Sequence, residues 1–308
     1  MIFPTAVTIR EVAPRDGIQS EPTRVETRDK IRFIDALSAT GIRHIEAVSF
    51  VSPKALPQMA DAADVLSGIR RAPGVSYSAL VPNRRGAEAA IEARADSLQV
   101  FMAVTDSYNR KNVKKSVEES LEDVADVVKA AAAASVPVEG TLSTAFGDPY
   151  EGDVDPERVA EVSRRMVDLG IDSISYGDTT GMATPRRVTD LIGTLREALP
   201  ELRLNMHFHD TRGTGLANVL AALGCGVDYF DASVGGMGGS PFASGATGNV
   251  VTEDLIHMVE DMGVDTGIEL QALLSAARIA QSFVSGELPS RLLKAGPRDS
   301  VDAAGEGI

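Results

Sequence analysis

The 308-residue sequence predicts an α/β fold, a (β/α)8 TIM barrel with additional C-terminal helices. Three observations predict it. Strand-like apolar runs alternate with helix-period segments eight times without a break, the pattern of a parallel sheet closed by crossover helices. No Pro- or Ser-rich stretch interrupts the series to mark a second domain. The polar residues able to do chemistry fall where the strand-like runs end, on the face that carries the chemistry of such barrels.

The first run, residues 7–12, stops at Pro14-Arg15-Asp16-Gly17. Thr27 then caps a helical pattern through Ile31, Ile34 and Leu37, which Gly41 closes. Strands follow at 45–50, 76–81, 97–104, 138–144 and 173–176. The helices between and after them fall at 59–69, 85–93, 117–134, 156–169 and 185–199. The seventh strand is 205–210, Asn-Met-His-Phe-His-Asp, followed by a helix at 216–223. The eighth strand is 229–234, with a helix at 252–262 and a further helical pattern from 270 to 284. The expected division is a catalytic barrel with its helical extension over residues 1–285 and a polar, mobile tail over 286–308.

Composition narrows the function classes. Hydrophobic content of 44% is enough to bury a sizeable core. A net charge of −14 and a pI near 4.8 argue against nucleic acid and anionic membrane surfaces, which need a basic footprint. No apolar run approaches the roughly 18 residues that span a bilayer, and the first residues do not read as a signal peptide. The lone Cys225 excludes an internal disulfide framework, and a cytoplasmic setting is expected.

The stretch that organises the chain is His207-Phe208-His209. Strand side chains alternate faces, so both imidazoles are expected on one side, making half of a metal site. The strand ends also supply Arg15, Asp16 and Gln19; Glu46 and Ser49; Thr144; Asp178 and Thr179; and Asp210. Two imidazoles, a carboxylate such as Asp16 and a neutral oxygen such as Asn249 form an N/O donor set suited to Mg2+ or Mn2+, with Zn2+ as an alternative. Such an ion chelates a hydroxyl and a carbonyl oxygen and lowers the hydroxyl pKa. Arg15 adds a fixed positive charge for a developing enolate, while Glu46 and Asp178 are left as proton carriers or orienting groups. This toolkit fits aldol or Claisen chemistry.

Plainer readings stand beside these. Asp16 before Gly17 also suits a tight turn. Glu46 inside an apolar strand is harder to dismiss, because a buried unpaired carboxylate is costly. The Gly-rich segment 235–249 reads as a flexible lid, and its glycines do not form a dinucleotide fingerprint. Residues 110–115, Arg-Lys-Asn-Val-Lys-Lys, are either a solvated helix start or the landing point for a phosphate-bearing carrier. His44, His257 and Cys225 receive no role.

The motifs Glu11–Gln19, 45–54, 176–181, 207–211 and 245–254 together resemble those of the hydroxymethylglutaryl-CoA lyases, within the metal-dependent TIM-barrel lyases and synthases. The resemblance implies Asp16, His207, His209 and Asn249 as metal ligands. It implies Arg15 as the enolate-stabilising arginine, Glu46 and Asp178 as active-site acids, and Gln19 as a polar neighbour. Gln19, Ser49, Lys111 and Asn112 are expected to meet substrate. The implied reaction splits 3-hydroxy-3-methylglutaryl-CoA into acetyl-CoA and acetoacetate, as in leucine degradation, without an organic redox cofactor.

One position departs from the family pattern. Where its loop reads Gly-Gly-Cys-Pro-Tyr-Ala, this chain has Gly-Gly-Ser240-Pro-Phe-Ala, so a serine replaces the cysteine assigned to proton transfer. Three readings follow: the family reaction with His207, Asp16 or Glu46 and water handling the proton, which makes His207 catalytic as well as a ligand; a related reaction on another hydroxyacyl-CoA or hydroxy acid with Ser240 contacting substrate; or a catalytically impaired acyl-CoA sensor. A metal hydrolase is a poorer match, because amidohydrolase-type barrels carry His-x-His on the first strand. A homodimer is expected on base rate alone.

Overall fold

The computed structural model describes residues 3–239 and 248–298. Its strands are β1 (Thr8–Glu11), β2 (His44–Ser49), β3 (Ser76–Val81), β4 (Ser97–Ala103), β5 (Val138–Ser143), β6 (Ser173–Gly177), β7 (Arg203–His207) and β8 (Tyr229–Ala232). All neighbours are parallel, and β8 returns to β1, so the sheet closes into a barrel in chain order.

Helices α1 (Thr27–Ser38), α2 (Ala62–Gly68) and α3 (Arg84–Glu92) follow the first three strands. Two helices follow β4, the short α4 (Asp106–Asn112) and the long α5 (Val117–Ala134). Then come α6 (Pro156–Asp168), α7 (Pro185–Ala198), α8 (Gly215–Gly224), α9 (Thr252–Asp261), α10 (Leu270–Gln281) and α11 (Arg291–Ala295). Local chemistry sets several starts. Ser116 and Glu119 form a reciprocal capping box on α5, while Asp155 and Thr184 cap α6 and α7 ahead of a proline in the first turn. Thr27 is the first residue of α1 rather than its cap, and its hydroxyl donates to Asp61 across to the start of α2.

The core lies between barrel and helices. Ile9, Ile45, Leu98, Leu142, Ile174 and Leu204 from the strands join Phe33, Leu37, Val124, Val159 and Leu195 from the helices in one cluster. None of the described helices is long and apolar enough to cross a membrane.

Three features differ from the sequence expectation. The basic segment carrying Lys111 and Asn112 ends the extra helix α4, which was not foreseen because it spans barely two turns. The seventh strand ends at His207, so His209 lies beyond it, paired in an isolated bridge with Asn249. The part of the expected mobile tail up to residue 298 instead folds back on the barrel. Leu288 and Leu292 are buried, and the Leu292 amide donates to Asp254 of α9 at 2.8 Å, apolar anchoring that the polar composition of the tail hid. Residues 299–308 lie outside the described residues.

Candidate metal centre and active site

The chain leaves β1 through a single wide turn at Ala13–Gly17, in which the Ile18 amide reaches back five residues to the Ala13 carbonyl. Such π-type turns recur at functional sites. Gly17 is needed here, because a Cβ on it would lie 2.8 Å from the Met237 Cβ. The turn presents Arg15 and Asp16 to the barrel mouth, both below a tenth exposed.

Asp16 meets the two imidazoles. One ligand atom from each of Asp16, His207 and His209 lies within 4.8 Å of the others. The facing His207 and His209 Nε2 atoms are 3.3 Å apart. Asn249 joins through its amide, which donates to Asp16 Oδ2 at 2.7 Å and to the Met237 carbonyl at 2.9 Å. Both amide protons are thereby used, and Asn249 Oδ1 is left buried without a hydrogen-bond partner among the described residues. A buried carbonyl oxygen without a donor, beside a carboxylate and two imidazole nitrogens, is the complement a hard or borderline divalent cation supplies. The residues therefore fit the expected metal, and all four expected ligands are brought together. Gly238 closes the cluster: a Cβ there would stand 2.5 Å from Asn249 Nδ2 and 2.9 Å from Asp16 Oδ2.

Arg15 is locked beside this group. Its Nε donates to Glu46 Oε2 at 2.7 Å and its Nη1 to Asp16 Oδ1 at 2.6 Å. Gln19 donates to the same Asp16 oxygen at 2.8 Å. Glu46 thus has the partner its burial requires, and the tight-turn reading of Asp16 gives way to a buried, charge-paired one. Burial alone would raise the Asp16 pKa, but Arg15 and the two imidazoles outweigh it and hold the carboxylate below its ordinary value. Burial pushes the Glu46 carboxyl up despite Arg15. His209 is lowered to about 4 by burial and by the neighbouring His207, which keeps it neutral and able to ligate.

Asp178 sits just past β6, fully buried. Its Oδ1 accepts from the Ala183 amide, whereas Oδ2 has no partner among the described residues, and burial raises its pKa to about 7. The Ser49 hydroxyl at the end of β2 is likewise buried and without a hydrogen-bond partner among the described residues. Thr144, the residue after β5, has φ of 59°, a left-handed conformation strained for a β-branched residue. Lys111 and Asn112 end α4, the helix that follows β4. The Lys111 ammonium lies 6.0 Å from the centre of the Tyr150 ring, on the rim after β4. Ser240 lies outside the described residues.

Sequence reading missed the groups behind the ligands. Asp231 on β8 accepts from His207 Nδ1 at 3.0 Å, and Arg10, Asn205 and Ser175 converge on the same carboxylate. Burial would raise Asp231, but Arg10 and His207 drive it far below the usual carboxylate range. Glu11 was missed as well. Its Oε1 accepts from the amides of Ala13 and Val234, and its Oε2 from the Thr252 hydroxyl. One carboxylate therefore ties the turn bearing Arg15 and Asp16 to the segments on either side of Asn249. The available signal was the one used for Glu46: a charge inside an apolar strand demands a partner.

A parallel eight-stranded barrel with an Asp-His-His-Asn cluster and a paired arginine at the C-terminal ends of its strands defines the class: a TIM-barrel protein with a candidate divalent-metal centre. The HMGL-like family model matches residues 6–280, and the chain belongs to that family. It is 46% identical over 294 residues to a hydroxymethylglutaryl-CoA lyase of Bacillus subtilis (strain 168), covering 96% of this chain and 98% of the relative. It is 43% identical over 295 residues to a 3-hydroxy-3-isohexenylglutaryl-CoA/hydroxymethylglutaryl-CoA lyase of Pseudomonas aeruginosa, covering 96% and 98%. The crystal structure of the Bacillus subtilis HMG-CoA lyase superposes with a TM-score of 0.93 at 46% identity, over 96% of this chain and 99% of that one.

Proposed function

We propose that this chain is a divalent-metal-dependent carbon–carbon lyase that cleaves 3-hydroxy-3-methylglutaryl-CoA to acetyl-CoA and acetoacetate. The observation that carries the reading is the buried Asp16–His207–His209–Asn249 cluster with Arg15 locked beside it, in a chain whose relatives carry that activity in their names. Asp16, His207, His209 and Asn249 would hold Mg2+ or Mn2+. When bound, the cation supplies Lewis acidity that makes the substrate's tertiary hydroxyl easier to deprotonate.

The other roles fall to the chain's own groups. The hydroxyl proton leaves to a base, the adjacent C–C bond breaks, and its electron pair becomes the enolate of the departing acetyl-CoA. The Arg15 guanidinium, held by Glu46, stabilises that enolate oxygen. Asp178, with its carboxyl near pKa 7 and one oxygen free, is placed to carry a proton near neutrality. Ser240 occupies the position of the family cysteine, and an unassisted hydroxyl is a far weaker acid than a thiol near pKa 8.5, so Asp178 and water take a larger share of enolate protonation. Gln19 orients Asp16, Ser49 contacts the acyl group, and Lys111 with Asn112 meets the CoA moiety. A homodimer and a cytoplasmic setting belong to the same proposal, on base rate and cysteine usage.

A second reading has one observation in its favour. The Pseudomonas aeruginosa relative is named for a substrate with a longer 3-alkyl branch, so the acyl group here extends to close 3-hydroxyacyl-CoA analogues. The test is product analysis of the purified protein with Mg2+ or Mn2+ against a panel of 3-hydroxy-3-alkylglutaryl-CoA esters. Metal-dependent release of acetyl-CoA, abolished in His207→Ala, is expected. CoA-ester binding without turnover of any ester would refute the lyase in favour of a sensor.

A further inference from the structure

Below the metal cluster the barrel lumen is ionic rather than filled by the branched apolar layers usual in this fold. Strand register creates this layer. Arg10 of β1 stands opposite Asp231 of β8, and His207 of β7 stands opposite the same Asp231 from the other side. Asp231, 4% exposed, then receives five donors. Arg10 grips it with two, Nε to Oδ1 at 2.8 Å and Nη2 to Oδ2 at 2.9 Å. Asn205 Nδ2 reaches Oδ1 at 2.9 Å, and Ser175 Oγ reaches Oδ2 at 3.0 Å. The fifth donor is His207 Nδ1, 3.0 Å from Oδ2. Arg10 is itself held on its far side by Glu139 of β5 at 2.5 Å.

A carboxylate clamped this way has no rotational freedom and only accepts hydrogen bonds, so the imidazole nitrogen facing it must carry the proton. In the neutral ring the other nitrogen, Nε2, is then a bare lone pair, and it is the one directed at His209 and Asp16. We propose that Asp231, fixed by Arg10, is a positioning residue that sets His207 in its Nδ1–H tautomer and so presents Nε2 for ligation before any cation arrives. The proposal rests on the metal-centre reading above. Asp231 need not touch substrate to act; it acts through the ring it orients, as carboxylates behind metal-ligating histidines do.

The experiment is long-range 1H–15N correlation NMR of the metal-free full-length protein labelled at histidine, with His207→Gln to assign the signal. It is paired with calorimetric titration of Mn2+ into the parent and into Asp231→Asn. The proposal expects the neutral His207 ring of the parent, reached by raising the pH until its 15N shifts stop moving, to be a single Nδ1–H tautomer. It also expects Mn2+ affinity to fall about 10- to 100-fold in Asp231→Asn, with the lost turnover regained at saturating Mn2+. An Nε2–H tautomer in the parent overturns the proposal whether or not the variant folds. So does an Asp231→Asn protein that binds Mn2+ within about twofold of the parent, which would leave Asp231 as no more than a counterion for Arg10. An Nδ1–H tautomer in a parent that binds no Mn2+ overturns the metal-centre reading instead and leaves the tautomer assignment standing.

Discussion

Replacing Glu11 by glutamine tests how the two walls of the site are held together. Glu11 is fully buried, and burial raises its carboxyl to about 7 although the Val234 and Ala13 amides and the Thr252 hydroxyl all donate to it. In the unfolded chain the same group titrates near 4.5. Between these values the folded state binds the proton more tightly than the unfolded state does, so Glu11 makes stability fall as pH rises. The penalty is absent below the unfolded value and complete once pH passes the folded one. A rise from 4.5 to about 7, at about 1.4 kcal/mol for each tenfold change in proton affinity, corresponds to about 3 kcal/mol. Glutamine is isosteric, keeps one oxygen for the two amides and turns its NH2 toward a hydroxyl that can accept. The assay is urea unfolding of parent and Glu11→Gln at pH 5, 6, 7 and 8. The difference in unfolding free energy should be small at pH 5 and grow by about 2–3 kcal/mol in favour of the variant by pH 8. A difference that stays constant within about 0.5 kcal/mol, or one that moves toward the parent, would refute the assignment of Glu11 as a buried carboxyl titrating near neutrality.

Two further outcomes are expected. Ser240→Cys should raise turnover of 3-hydroxy-3-methylglutaryl-CoA about tenfold or more, a part of the roughly 10²–10⁴-fold that a positioned proton donor contributes; rates equal to the parent would mean that Ser240 is matched to a different substrate. Lys111→Ala should raise KM for the CoA ester severalfold and leave kcat unchanged, as loss of uniform binding does; a fall in kcat at constant KM would place Lys111 in the chemistry.

Much of the fold was legible because a parallel barrel writes a regular alternation. Apolar strand runs and amphipathic helices succeed one another, and α5, with its Ser116–Glu119 capping box, was located at both ends. What escaped was short or held by distant partners. α4 and α11 are too brief to show a helical period, and α11 is placed by Asp254 of α9 rather than by its own pattern. In the site, residues clustered within a strand end were readable: Arg15 with Asp16, and His207 with His209. The strand alternation that pointed to the two histidines applies only to His207, since His209 follows the end of β7 and is brought round by its bridge to Asn249. Arg10 and Asp231 lie 221 residues apart, and only the β1–β8 register makes them a pair. Nothing local in the sequence marks that pairing, although each is a charge in an apolar strand and so needed a partner.

The account turns on one cation held among Asp16, His207, His209 and Asn249, and a crystal structure grown with excess Mn2+ tests it most directly. The prediction is an anomalous peak about 2.0–2.3 Å from the Nε2 atoms of both histidines and from a carboxylate oxygen of Asp16, with the Asn249 oxygen facing it. A peak elsewhere, or none with the two rings turned apart, would contradict the account.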